Sequence, residues 1–135
     1  MGRLGDPLGI EQWGTMEAEV PSIYRGDETL AGLRTAFARA GSWYLELVQP
    51  SGGRSTTQTF LDERGEGLYH LGYWVDDIAA AVDRAEALKI GVDMTIPPGD
   101  TPMAVYLDAA PTLGVHIELV NAAVRPMIER LFTQT

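Results

Sequence analysis

Apolar and polar residues alternate through "WYLELVQ" (43–49), the clearest period-two pattern in the first half of the chain. Such alternation marks a half-buried β-strand. "IEQWGTMEAEV" (10–20) alternates more loosely and is extended, with Gly14 as a bulge or kink. "PSIYRGDET" (21–29) carries turn chemistry. "LAGLRTAFARA" (30–40) has alanines that suit a helix, but Leu33, Thr35 and Phe37 alternate with Arg34, Ala36 and Ala38, and Gly41-Ser42 supplies a reversal. A strand is the better reading. "PSGGRS" is a loop, and "TTQTFLDER" (56–64) is a short helix opened by a Ser/Thr cap.

The second half is sharper. "GLYHLGYWV" (67–75) is a strand, and Asp76 or Asp77 can cap the helix "DIAAAVDRAEALKI" (77–90). Ile78, Val82, Ala85 and Leu88 fall on one face of that helix, and Gly91 stands in its C-cap position. Three strands follow, "VDMTIP", "MAVYLDA" and "VHIELVN", separated by the turns "PPGDTP" and "APTLG". The tail "AAVRPMIERLF" (122–132) predicts a terminal helix with Met127, Leu131 and Phe132 as its apolar face.

Composition narrows the function. The chain has 135 residues, enough for one domain with a real core. A net charge of -9 argues against a nucleic-acid surface and against an anionic membrane. Without cysteine there is no disulfide and no thiolate chemistry. No apolar run approaches a spanning helix, and "MGRLGDPLG" lacks the apolar core of a signal peptide, so a cytoplasmic protein is expected.

Three ionisable residues interrupt otherwise apolar strands: Glu46 in "YLELV", His70 in "LYHLGYW" and Glu118 in "VHIELV". One such residue is commonly just the polar face of a half-exposed sheet. Burying a carboxylate is costly unless it is paired or binds a cation. Three together point to a divalent-metal site, and oxygen plus imidazole donors suit Zn, Mn, Co, Ni or Fe(II). His116, two residues before Glu118, shares its face. It could contact a substrate oxygen or stand in for a ligand, but a pocket-lining histidine bonded to a neighbour fits the geometry better. The same alternation puts Tyr44 and Val48 beside Glu46, and Gly72 and Trp74 beside His70, as pocket walls. Trp43, Tyr69 and Tyr73 are expected in the core or against helices.

The pattern "GLYHLGYWVDDIAAAVDRAEALKIGV…GVHIELV" resembles the second βαβββ module of the vicinal oxygen chelate superfamily. That superfamily includes glyoxalase I, methylmalonyl-CoA epimerase, extradiol dioxygenases and bleomycin-resistance proteins. The resemblance covers residues 67–121 closely and residues 10–50 loosely. It implies an α+β fold in which paired βαβββ modules form a cup-shaped mixed sheet, followed by a C-terminal helix. Residues 1–50 would be an incomplete first module, 51–66 a connecting loop and short helix, 67–121 the second module and 122–135 the C-terminal helix, all in one domain. Carried over by position, the metal ligands fall on Glu46, His70 and Glu118. The family's first strand and helix, which hold a fourth ligand, have no counterpart. "MGRLGDPLG" resembles only the end of that helix, so either about two dozen residues precede Met1, the span of one helix and one strand, or the module is truncated. An open sheet edge would invite a partner chain, and the resemblance implies a homodimer.

The resemblance also implies chemistry. A metal-bound substrate oxygen favours proton transfer next to a carbonyl, as an isomerase or lyase requires, with Glu118 as the base. In the epimerases the strand before "WYLELV" carries a second carboxylate, but Thr35 holds that position here. Glu17 and Glu19, on the preceding strand, are expected in solvent. The rival expectation is a non-catalytic binder of small molecules, like the bleomycin-resistance proteins, with a degenerate metal site. Thr35, Tyr44, Trp74 and His116 complete the expected substrate pocket.

Overall fold

The structure, a computed structural model, describes residues 7–10 and 12–133. Seven strands, β1 (Gly14–Tyr24), β2 (Asp27–Ala40), β3 (Trp43–Gly52), β4 (His70–Val75), β5 (Val92–Ile96), β6 (Ala104–Leu107) and β7 (His116–Asn121), join in one sheet of order β3-β2-β1-β5-β6-β7-β4. All neighbours are antiparallel except β4 and β7, which run parallel. The sheet curls into a half-barrel with a concave face, the cup expected of an α+β fold. Helices α1 (Thr56–Arg64), α2 (Ile78–Ala87), the single-turn α3 (Ala110–Leu113) and α4 (Arg125–Thr133) accompany it, the last entered through a 3-10 turn at Ala122–Val124.

The residues facing one another across the strands show which side chains share the concave face. Gly14, Phe37 and Glu46 form one row across β1, β2 and β3, and Met16, Thr35 and Val48 form the next. On the other half, Met94, Tyr106, Glu118 and Gly72 form a row across β5, β6, β7 and β4. The opposite face of that half carries α2. Ile78, Ala81 and Ala85 of α2 are buried against Val105, Leu107 and Leu119. Each large aliphatic side chain buried in this way stabilises by about 1.5–3 kcal/mol. Asp77, rather than Asp76, caps α2, its Oδ1 accepting from the Ala80 amide at 3.0 Å.

Helices α1 and α4 reach opposite ends of β1. Ser55 caps α1 through the Gln58 amide, and Thr59 of α1 shares a 2.6 Å hydrogen bond with Tyr24, the last residue of β1. At the first residue, Gly14, the backbone carbonyl of Leu131 in α4 occupies the space a Cβ would need. Gly14 is therefore the seat of the terminal helix rather than a bulge.

Several boundaries differ from the sequence reading. β1 continues through Pro21 to Tyr24, because its second edge pairs with β5 only from Ile23 and a missing amide at Pro21 is tolerated. Only Arg25-Gly26 turns. β3 runs on through Pro50 to Gly52. Helix α2 stops early: Lys89, at φ +63, takes the left-handed conformation expected of Gly91, and this leaves Leu88 73% exposed. The predicted "APTLG" turn winds into α3, with Pro111 in its first turn. Met127 is exposed, whereas Leu131 is half-buried; the side chain of Phe132 lies outside the described residues. Trp43 and Tyr73, expected in the core or against helices, are exposed on β3 and β4, the two edge strands of the sheet.

Candidate metal centre

Glu46 is in β3 and His70 opens β4, the two edge strands of the sheet. The curl brings these edges together. His70 Nε2 lies 3.0 Å from Glu46 Oε1 and 3.3 Å from Glu118 Oε1. One ligand-type atom from each of the three residues falls within 4.8 Å of the others, the one such group among the described residues. Their side chains are 9%, 20% and 14% exposed for His70, Glu46 and Glu118 respectively. Water therefore screens their interaction poorly.

Burial governs the electrostatics here. It pushes the Glu46 carboxyl up, His70 opposes that shift, and the Glu118 charge adds to it. Burial pushes the His70 imidazole down, but the hydrogen bonds and charges of Glu118 and Glu46 outweigh it, and the net effect lifts His70 to about 10. Counted as two carboxylates and one imidazolium, the three groups would carry a net negative charge. Replacing the imidazolium proton by a divalent cation would make the same group neutral, so the donor set fits such an ion in both chemistry and charge. His70 Nδ1 is buried without a hydrogen-bond partner. Ligating histidines usually donate this nitrogen to an oxygen. At His70 the ring is held by packing instead: Tyr69 and Tyr106 meet it edge-on at 4.8 and 5.4 Å between centroids.

The expected pocket residues are distributed over three places. Tyr44 and Trp74, on the same strands as Glu46 and His70, meet edge-to-face at 6.2 Å. The Tyr44 hydroxyl donates to Glu129 of α4 at 2.6 Å, and the Arg125 guanidinium lies over both rings. Thr35 sits one row from Glu46 on the same face, with its hydroxyl buried and unpartnered. His116 is elsewhere. Its Nδ1 meets the Leu107 carbonyl at 3.2 Å, and its ring packs against Phe60 and Tyr69. It lines a cavity of about 190 Å³ that also touches Arg25, Thr56 and Asp93 and contains none of the triad. The neighbour-bonded histidine is the reading this placement favours. Glu17 and Glu19 are exposed, Glu17 paired with Arg34 at 3.1 Å.

Sequence reasoning missed Tyr106. It lies opposite Glu118 in the β6–β7 pairing, is 3% exposed, and stands edge-on to the His70 ring. "MAVYLDA" places it at a position indistinguishable from core, and only the register of β6 on β7 brings it to the triad.

Comparison with known proteins bears on fold and family. A 41-residue stretch is 39% identical to the uncharacterized protein YqjC of Bacillus subtilis (strain 168), a match spanning 30% of this chain and 29% of that protein. The solved structure of hypothetical protein BH1468 from Bacillus halodurans C-125 superposes with a TM-score of 0.60 over 87% of this chain and 80% of that one. At 20% identity this likeness speaks for the fold. The family model of the Glyoxalase/Bleomycin resistance protein/Dioxygenase superfamily matches residues 1–107, a span that contains Glu46 and His70 and stops short of Glu118. With that match over most of its length and its half-barrel sheet, the chain belongs to the glyoxalase, bleomycin-resistance and dioxygenase superfamily.

Proposed function

We propose that this protein is a divalent-metal-dependent enzyme that moves a proton next to a carbonyl of a small oxygenated substrate, in isomerase or lyase chemistry. The observation that carries this reading is the convergence of Glu46, His70 Nε2 and Glu118, all three partly buried, from β3, β4 and β7 of the curled sheet. These three would hold the cation. Bound there, it would supply Lewis-acid stabilisation of the negative charge that develops on the substrate oxygen.

The chain's own residues do the rest. Glu118 takes the proton: it lies across from Gly72, the neighbour with no side chain to crowd an approaching carbon. Glu46 remains a ligand. The aromatic rings of Tyr69, Tyr106, Tyr44 and Trp74 keep water from the reacting carbon and orient the substrate. On the β2 side Thr35 stands in place of a second carboxylate, and its hydroxyl offers a hydrogen bond without acid-base strength at neutral pH. Proton exchange therefore proceeds from one face of the substrate.

The test is solvent deuterium incorporation into a panel of small acyl and ketone substrates with metal-loaded protein, followed by NMR. Exchange with retained configuration is expected. Rapid racemisation would reveal a second base. Metal binding without exchange across the panel would favour a small-molecule-binding protein instead. We further propose a homodimer, with the outer edges of β3 and β4 as the surfaces that invite a second copy.

A further inference from the structure

One carboxylate outside the triad is held by donors from two elements. Glu129 of α4 accepts from the Tyr44 hydroxyl of β3 and from Arg125 Nε, each at 2.6 Å and both through Oε1. Arg125 Nη2 donates to the Tyr44 hydroxyl at 3.1 Å and closes the cluster. The Arg125 guanidinium lies 5.7 Å over the Tyr44 ring and 5.4 Å over the Trp74 ring, so it reaches from β3 to β4. A second guanidinium, that of Arg39, lies 5.1 Å over Tyr44. An i,i+4 ion pair on a helix needs neither the phenol nor the aromatic floor, and alone it contributes little. In a chain of net charge -9, these groups instead form a fork-shaped receptor for a carboxylate. The hydrogen bond from Tyr44, and then that from Arg125, hold the Glu129 carboxyl below its ordinary range, as donors suited to an anion should.

The cluster stands on the triad's face of the sheet. Tyr44 is two residues from Glu46 in β3, so the two side chains leave one face about 7 Å apart. Trp74 shares its face with His70 in β4. Helix α4 lies on that face too, because a Cβ on Gly14, in one row with Phe37 and Glu46, would meet the Leu131 carbonyl. A ligand bound at the triad and running along β3 therefore reaches Tyr44 and Arg125 within the length of a short carbon chain. The side chains of Arg125 and Glu129 are 49% and 33% exposed, so Glu129 can turn out to water as another carboxylate enters. That exchange conserves charge and leaves no donor unsatisfied.

We propose that Arg125 and the Tyr44 hydroxyl form a carboxylate subsite of the cup, filled in this structure by Glu129 as an internal stand-in. The substrate is then a short oxo or hydroxy acid. One of its oxygens meets the cation at the triad, and the carboxylate at its other end displaces Glu129. The first of these two ends rests on the metal reading of the triad.

The probes are levulinate, a short acid with a ketone, and methyl levulinate, which keeps the ketone and loses the charge. Each is titrated into zinc-loaded and metal-stripped protein, and the indole N–H signal of Trp74, assigned with Trp74→Phe, reports binding by NMR. The acid should bind both forms, more tightly with zinc, and the ester at least about tenfold more weakly. Arg125→Gln should weaken the acid about tenfold or more while leaving the ester and the zinc affinity unchanged. Tyr44→Phe should act in the same direction by a smaller factor, and it keeps the test open should Arg125→Gln fail to fold. Glu129→Gln should tighten the acid several-fold and leave the ester unchanged, an outcome a purely structural ion pair would not give. Equal affinity for acid and ester, or acid binding unaltered in both Arg125→Gln and Tyr44→Phe, would overturn the subsite and leave the metal centre standing. A protein that takes up no zinc would overturn the metal reading and the two-ended substrate with it, whatever its affinity for the acid.

Discussion

Glu46 and His70 touch at 3.0 Å although their strands are the two ends of a seven-stranded sheet. No ladder hydrogen bond links β3 to β4, so the contact exists only because the sheet curls far enough to bring its edges together. A site built across such a seam depends on curvature.

Replacing His70 separates the metal from the fold. His70→Ala removes the one cationic group between two buried carboxylates. The metal-free protein should lose about 3 kcal/mol of stability, the usual cost of breaking a buried ion pair from one side. Bound metal should fall to background by elemental analysis after dialysis, in a sample shown to be folded by circular dichroism. Unchanged metal content in that folded sample would end the metal assignment.

Glu118 and Thr35 should respond differently to substitution. Glu118→Gln is expected to abolish deuterium exchange, because the amide cannot accept the proton. Thr35→Ala should leave exchange within several-fold of wild type, since the hydroxyl contributes only a hydrogen bond. Equal loss in both variants, read by NMR, would assign Thr35 a part in the proton transfer.

The metal-free protein should be less stable in alkali. The His70 pKa rises on folding from its ordinary value near 6.5 to about 10. Its contribution to stability is therefore complete below pH 6.5 and is lost as pH rises through about 10. The Glu46 carboxyl, also raised, changes stability in the same direction. Thermal unfolding in chelator should show a midpoint falling between neutral pH and pH 10, and His70→Gln should flatten that slope. A midpoint that climbs over this window would contradict the buried triad.

Gly14→Ala tests the seat of the terminal helix. A methyl group there meets the Leu131 carbonyl backbone, which cannot rotate aside as a flexible side chain would. Destabilisation of about 1–3 kcal/mol is expected from this overpacking, measured by chemical denaturation. A neutral effect would mean that α4 is not anchored on β1.

Association is the last expectation. Light scattering after gel filtration should give twice the chain mass, and a monomer at all concentrations would remove the dimer proposal.

Much of this protein is legible in its sequence, and for local reasons. The alternation in "WYLELVQ" marks β3, the Asp76-Asp77 pair marks the start of α2, and the ambiguous alanine-rich stretch 30–40 is resolved by its period of two. Glu46, His70 and Glu118 stand out because an ionisable group inside an apolar strand has few inexpensive explanations. What period and composition leave open is anything set by a neighbour distant in sequence. Pro21 stays in β1 because β5 has not yet joined there, and Lys89 rather than Gly91 takes the left-handed turn at the end of α2. Gly14 is small for the sake of a carbonyl more than a hundred residues away. Tyr106 becomes part of the triad's surroundings through the β6–β7 register, and His116 leaves them because Leu107, Phe60 and Tyr69 hold it at another cavity. Local patterning thus determines which faces are buried and which residues are candidates. The curl of the sheet and the pairing of its strands decide which of them meet, because a distance across the seam is a property of all seven strands together.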